Sequence, residues 1–271
     1  TSIGEDAFSS TSLTSIIIPD SVTSIGNAAF SHTDLTNVTI SNSVTIIGRG
    51  AFRNCKSLTS ITIPDSVTGI GEDAFYGCTS LTSITIPNSV TWIGEYAFCG
   101  CESLASIIIT DLKTWLEIYF RDPWIDSDYD LFLGNNKITK LTIPDDVNSI
   151  RNYVFSDCTS LTSITIPDSV TSIEDSAFKY CTSLTSIKIA ASNEKYLIIN
   201  NYDKVGRDIV AATKVLRTGK LDSEVKIPLN LKFQLAVALI DLHDNAEAKA
   251  YVKKMLTKGM KVLIDSGNLE L

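Results

Sequence analysis

The sequence predicts an α/β repeat solenoid, rich in β-structure, with one parallel sheet along its length and a small all-α region at the C-terminal end. Three observations lead there. First, Phe8, Phe30, Phe52, Phe75, Phe98, Phe155 and Phe178 fall in one column, at steps of 22, 22, 23, 23, 57 and 23 residues, so seven of the ten Phe share one role. Second, three residues after each Phe stands Thr11, Thr33, Cys55, Cys78, Cys101, Cys158 or Cys181. Third, the charge changes along the chain. Residues 1–190 carry 21 Asp/Glu and 10 Lys/Arg, a net of −11, whereas residues 191–271 carry 10 and 13, a net of +3; together they return the −8 of the whole. Such an asymmetry separates two architectures.

Each part of the unit has a physical reading. The pattern L-x-x-I-x-I-P, as in Leu58, Ile61, Ile63 and Pro64, is a short strand with one face inward. Pro64 ends it, because proline lacks the N–H that a ladder needs. The next pattern, V-T-x-I-G, as in Val67, Ile70 and Gly71, places a glycine where a tight bend is expected. The segment G-x-x-A-F is long enough for one helical turn that aims Phe inward. A period of 23 residues is too short for a helix pair and suits one strand and one compact turn per coil. A single coil cannot bury its own apolar edge, so stability comes from stacking on neighbours.

One coil departs from the period. From Thr110 to Pro144 is 34 residues, 11 more than the unit. The extended coil, 111–143, reads as a helix at 111–119, an irregular loop around Pro123, and a hairpin turning at Gly134-Asn135-Asn136. An extra segment is expected to protrude from a packed stack.

The solenoid is assigned to residues 1–199, with a last strand within 195–200. Residues 200–271 are assigned to a helical cap over the last coil's apolar end, with helices near 203–216, 230–243 and 246–265. The chain begins inside a repeat and ends where a fourth helix begins, which is read as truncation.

Composition excludes several functions. A mean hydropathy of +0.15 is high, yet no run reaches the ~18 apolar residues of a membrane span, so no membrane insertion is expected. Two His leave little for a multi-His centre. The net charge argues against nucleic acid, which requires clustered Lys/Arg. No Ser is flanked as a nucleophile, and neither a phosphate-binding loop nor a dinucleotide fingerprint is present. No catalytic, cofactor-binding or metal-ligating residue is therefore assigned, no cofactor is expected, and the chain is read as a non-enzyme.

The Cys column reads as buried thiols acting as small hydrophobes, since stacked positions lie ~5 Å apart in a line rather than at the corners of a tetrahedron. Cys99 falls in the polar column of Ser31, Arg53 and Ser156, so it is either an exposed reactive thiol or a tolerated substitution. Asp126-Ser127-Asp128-Tyr129-Asp130 has the start of a calcium-loop spacing, but Leu131 and Lys137 stand where Gly and Glu are required. Pairs such as Glu72-Asp73 precede Ala-Phe, where acids suit a helical turn's N-terminus.

Two surfaces are candidates for a partner. The outward strand positions form an S-x-T array: Ser60 and Thr62, Ser83 and Thr85, Ser106 and Ile108, Ser163 and Thr165. Ser15/Ile17, Asn37/Thr39, Lys140/Thr142 and Ser186/Lys188 extend it. Such an array is either a recognition face or simply what soluble strands favour. The extended coil adds Trp124, Tyr129, Asp126 and Asp128 in its protruding loop, where aromatics and acids could touch a basic or neutral surface. Trp115 reads as core.

The repeated unit, C-x-S-L-T-S-I-T-I-P-x-S-V-T-x-I-G-x-x-A-F, resembles the BspA-like class of bacterial leucine-rich repeats, from residue 1 to about 190. The extended coil, with its D-L-x-x-W start, is similar to long units of that class. The resemblance implies a surface or secreted protein of bacteria or protists, and the chain is expected to be a monomer. The resemblance also implies adhesion and the binding of host proteins or other bacteria; the two candidate surfaces leave a glycan open as well. It brings no shared catalytic residues. A structural spacer displaying another domain is the alternative.

Overall fold

The computed structural model describes residues 1–121, 123–167, 169–174, 176–189, 196–197 and 248–250. The predicted parallel-sheet solenoid is present. The outward row of strands comprises Ser15–Ile17, Asn37–Thr39, Ser83–Ile86, Ser106–Ile109 and Asp130–Leu133, then Lys140–Thr142, Ser163–Ile166 and Ser186–Ile189. Between the second and third of these, Thr62 joins by a parallel bridge to Thr85. The register repeats the sequence columns: Ser83 lies beside Ser106, and Ser106 beside Asp130. Along Ser83–Ile86 the side chains alternate between half-buried and buried, as a one-sided strand requires.

A second row runs parallel to the first, which the sequence reading does not foresee. The V-T-x-I-G segments form two-residue strands, Ser2–Ile3, Ser24–Ile25, Ile46–Ile47, Gly69–Ile70, Trp92–Ile93 and Tyr119–Phe120, joined into one six-stranded parallel sheet. The core lies between the rows. In one coil Leu58, Ile63, Val67, Ile70, Ala74, Phe75 and Cys78 are all buried.

The Phe turns form a third stack. Rings from Phe8 to Phe98 lie nearly parallel at centroid spacings of 5.2 to 5.4 Å, and Phe155 and Phe178 repeat this at 5.4 Å. The backbone bonds between turns as well. Phe52 N–H donates to Ala74 O and Phe75 N–H to Ala97 O, both at 2.8 Å. Each turn bends through two left-handed residues, placed two before and two after the Phe. Around Phe75 these are Asp73, at φ 55°, and Gly77, at φ 69°.

Threonine columns tie coil to coil. Thr68 donates both its N–H, at 2.8 Å, and its Oγ1, at 3.2 Å, to the carbonyl of Thr45, and Thr91 does the same to Thr68. Ser66 and Ser89 hydroxyls donate to Val44 O and Val67 O at 2.6 Å. The recurrent S-V-T is thus a hydrogen-bonding device of the stack.

The glycine of V-T-x-I-G has a different task from the one expected. Gly26, Gly48, Gly71 and Gly94 are not at positive φ; the bends lie at the residues flanking Phe. They are glycines because successive coils approach there. A Cβ on Gly71 would stand 2.6 Å from the carbonyl carbon of Gly48, and one on Gly94 would stand 2.4 Å from Glu72 N.

The extended coil does not protrude, which corrects the expectation. Its helix, Leu112–Glu117, is capped by Asp111, whose side chain accepts the Thr114 N–H. The helix replaces the proline turn and leads into Tyr119–Phe120, which joins the second row beside Trp92–Ile93. Phe98 N–H then donates to Trp124 O at 2.8 Å, so the segment around Trp124 stacks as a Phe turn does. Asp130–Leu133 continues the first row, and Asn136–Lys137 folds back antiparallel on it. That hairpin ends the ladder begun at Ser83–Ile86, and the stack resumes in a further ladder at Lys140–Thr142.

At the far end Tyr196–Leu197 pairs antiparallel with Ser186–Ile189, within the strand expected at 195–200. The helices expected at 203–216 and 230–243 lie outside the described residues. Of the third, only 248–250 is described, and it is helical.

Candidate functional site

The outward row presents the S-x-T array. Ser60 and Thr62 are exposed; Ser83, Thr85, Ser106, Ile108, Ser163 and Thr165 are half-buried. Their sheet neighbours follow from register: Thr85 lies beside Ile108, and Ile108 beside Phe132. In the ladder after the hairpin Ser163 lies beside Lys140 and Thr165 beside Thr142.

The hydroxyls of this face differ from those of the threonine columns. Thr45, Thr68, Thr82, Thr91, Thr162 and Thr185 each give their hydroxyl to a neighbouring coil. Among the described residues, the hydroxyls of Ser60, Thr62, Ser83, Thr85, Ser106, Ser163 and Thr165 take part in no such bond. They remain as donors and acceptors for something outside the chain. Apolar side chains interrupt them at Ile17, which is 78% exposed, at Ile108 and at Phe132. Phe132 was not singled out in the sequence, although its alternation in Asp130-Leu131-Phe132-Leu133 marks it as outward-facing. At the edge of this patch Lys137 Nζ and Asp130 Oδ2 pair at 2.7 Å.

Of the four residues of the extended coil, the two aromatics do not lie in the exposed contact expected of them. Trp124 is 0% exposed and Tyr129 1%. Trp124 touches Phe98, Trp115, Phe120 and Tyr129 as ring neighbours, and its indole N–H donates to Tyr153 O at 3.2 Å. Burial drives the Tyr129 phenol's pKa well above its ordinary value. The aromatics are core because the coil lacks an Ala-Phe pair and must fill that volume by other means. Asp126 and Asp128 are exposed, and Asp126 Oδ1 accepts the Gly100 N–H at 2.8 Å. They face Asp157, whose carboxyl is pushed up to about 6, chiefly by burial and then by the like charges of Asp128 and Asp126.

The thiols are buried. Cys55, Cys78 and Cys101 donate to the carbonyls of Phe30, Phe52 and Phe75 at 3.1 Å, and Cys181 to Phe155 O at 2.8 Å. They are therefore weak hydrogen-bond donors of the stack as well as hydrophobes. Cys99 is not the exposed thiol its column allows: it is 3% accessible, whereas Arg53, Tyr76 and Lys179 of that column are half-buried and Ser31 and Ser156 are buried. The turn at Pro123 and Trp124 covers Cys99, and burial pushes its pKa up to about 12. A thiol so protonated is a poor nucleophile.

Comparison with known proteins matches the geometry. The family described as BspA type leucine rich repeat region matches in six copies, over residues 1–123 and 126–202. No curated protein matches the chain. Among solved structures, a leucine rich cell surface protein from Faecalibacterium prausnitzii is 28% identical; the match covers 70% of this chain and 63% of that one, at a TM-score of 0.36. A leucine-rich repeat protein from Eubacterium ventriosum is 25% identical, with 71% and 58% covered and a TM-score of 0.38. A leucine rich repeat protein of T. pallidum is 22% identical, with 63% and 77% covered and a TM-score of 0.43. The chain thus spans less than two thirds of the length of the first two. On the family match and the repeat geometry together, the chain belongs to the BspA-type leucine-rich repeat family.

Proposed function

We propose that the chain is a non-catalytic binding module, displayed at the bacterial surface or secreted, that recognises a protein through the outward face of its first strand row. The observation that carries this reading is the row of hydroxyls with no partner among the described residues, interrupted by exposed Ile17 and half-buried Ile108 and Phe132. A face that mixes solvent-accessible hydroxyls with apolar and aromatic side chains on a rigid sheet has the make-up of a recognition surface. The buried, highly protonated thiols favour the non-catalytic reading.

The test is a triple substitution, Thr62→Glu, Thr85→Glu and Thr165→Glu. These side chains point outward, so the variant keeps its circular dichroism and melting. Partners retained from host extracts by the native chain are identified, purified and titrated against both forms. The reading requires that a purified partner bind the native chain and lose most of its affinity for the variant. Equal binding to both forms sinks it, and so does a native chain that retains nothing.

A further inference from the structure

We propose a second site, on the second strand row, that binds a saccharide carrying a carboxylate. It lies on a different row from the surface discussed above and does not depend on that reading.

The glycine column that lets coils approach also leaves a bare floor. Along successive coils the segments Ile46-Ile47-Gly48-Arg49, Gly69-Ile70-Gly71-Glu72 and Trp92-Ile93-Gly94-Glu95 lie side by side. Each glycine stands between an outward residue of the second row and a polar residue. Over Gly48, Gly71 and Gly94 runs a groove of about 440 Å³, within the range of small-molecule sites. In the next coil Arg121 takes the glycine's place: its N–H donates to Ile93 O as that of Gly94 donates to Ile70 O. Its side chain therefore stands at one end of the floor.

The apolar wall is made by Ile46, Trp92 and Tyr119. Ile46 is 42% and Tyr119 50% exposed. Trp92 is set by its neighbour. A Cβ on Gly69 would fall 2.2 Å from Trp92 Cε2 and 2.3 Å from its Nε1, so the indole occupies the space a side chain at 69 would need. The second row carries Ser at 2 and 24 and Ile at 46, then Gly69 beside Trp92. That substitution is what lets the indole lie along the stack.

The polar wall is of mixed charge. Arg49 pairs with Glu72 at 3.2 Å, and among the described residues no carboxylate pairs with Arg121. Arg49, Glu72 and Arg121 line the groove, and Glu95 stands beside Glu72 in the same column. Asn27 Oδ1 accepts the Arg49 N–H, which leaves its amide NH2 as a further donor.

The chemistry selects the ligand class. The floor amides of Gly48, Gly71 and Gly94 already donate to Ile25, Ile47 and Ile70, so an added peptide strand finds no ladder there. A pyranose needs what the groove has: an aromatic surface for its C–H face, and donors and acceptors for its hydroxyl rim. The Arg121 guanidinium, with no carboxylate partner among the described residues, adds a preference for a carboxylate, which it can bind in a bidentate fork. The structure points to a uronic or sialic acid residue stacked on Trp92, with its carboxylate at Arg121.

The experiment uses Trp92 as its own reporter. Trp115 and Trp124 are buried, and Trp92 is the third of the three Trp. Tri-galacturonate and 3′-sialyllactose, with lactose as the neutral control, are titrated by Trp fluorescence and by calorimetry at millimolar concentration. At least one carboxylated probe should shift the Trp emission saturably and bind about tenfold more tightly than lactose. Arg121→Gln should bring that probe down to the level of lactose. Trp92→Ala and Tyr119→Ala should each weaken it about tenfold by calorimetry, and two separate variants guard against one that misfolds. The proposal is overturned if neither carboxylated probe binds, if lactose binds equally well, or if folded Arg121→Gln or Trp92→Ala binds the carboxylated probe as tightly as the native chain.

Discussion

Trp115 and Trp124 meet edge to face, centroids 5.9 Å apart and planes at 71°, and their indole N–H groups donate to adjacent carbonyls of the next coil. Trp115 donates to Val154 O and Trp124 to Tyr153 O, each at 3.2 Å. The repeats before the extended coil and those after it are joined through this pair. Phe98 on one side and Tyr129 on the other complete the contact, and Tyr129 bridges in parallel to Cys158. Where the Phe stack lapses between Phe98 and Phe155, a cluster of larger rings takes over.

Trp124→Ala should therefore destabilise the solenoid by ~3–5 kcal/mol, the range for removing a large buried aromatic. Replacing residues 122–130 by a Gly/Ser linker should do more and separate the two blocks of repeats. Urea unfolding followed by circular dichroism reads both. An unchanged midpoint for Trp124→Ala would return the loop to the surface.

The glycine column predicts a contrast within one column. Gly71→Ala places a Cβ 2.6 Å from backbone atoms of the coil below, which no side-chain rotation relieves. A cost of ~1–3 kcal/mol is expected, as for other overpacked sites. Gly4 occupies the same column in the first coil, and a Cβ there meets nothing within 4 Å. Gly4→Ala should stay within ~0.5 kcal/mol of the native chain. Equal melting losses for the two variants would disprove close stacking as the reason for the glycines.

Asp157 predicts a pH dependence. Its folded pKa is pushed up from 3.8 to about 6, first by burial, then by Asp128 and Asp126, against the opposing pull of a Ser156 hydrogen bond and Lys179. The fold prefers the protonated carboxyl, so this group's contribution to stability is complete below about pH 4 and is lost as pH rises through about 6. Asp157→Asn keeps a residue that tolerates the φ of 62° found here and removes the titration. Melting temperatures from acid to neutral pH should fall more for the native chain than for the variant across that window. Parallel curves would mean that Asp157 ionises freely.

In the periodic part, the sequence by itself determined which residues meet. Phe52 stacks on Phe30 and Phe75, Thr68 bonds to Thr45, and Ser163 lies beside Ser186. The reason is geometric. In a solenoid each residue's neighbour is its own counterpart one coil away, so an alignment of the sequence with itself is already a contact map. Tertiary structure alone decided the rest. Trp124 finds Tyr153, 29 residues on, by closing a gap that no repeat describes. Cys99 is buried because an aperiodic turn folds over an otherwise ordinary column. The Trp92 indole occupies the space left by Gly69, an adjacency the period shows but a side-chain direction it does not. Where neighbours are not copies of one another, side-chain volume and unsatisfied backbone groups select the partner, and those are properties of the packed chain rather than of the pattern.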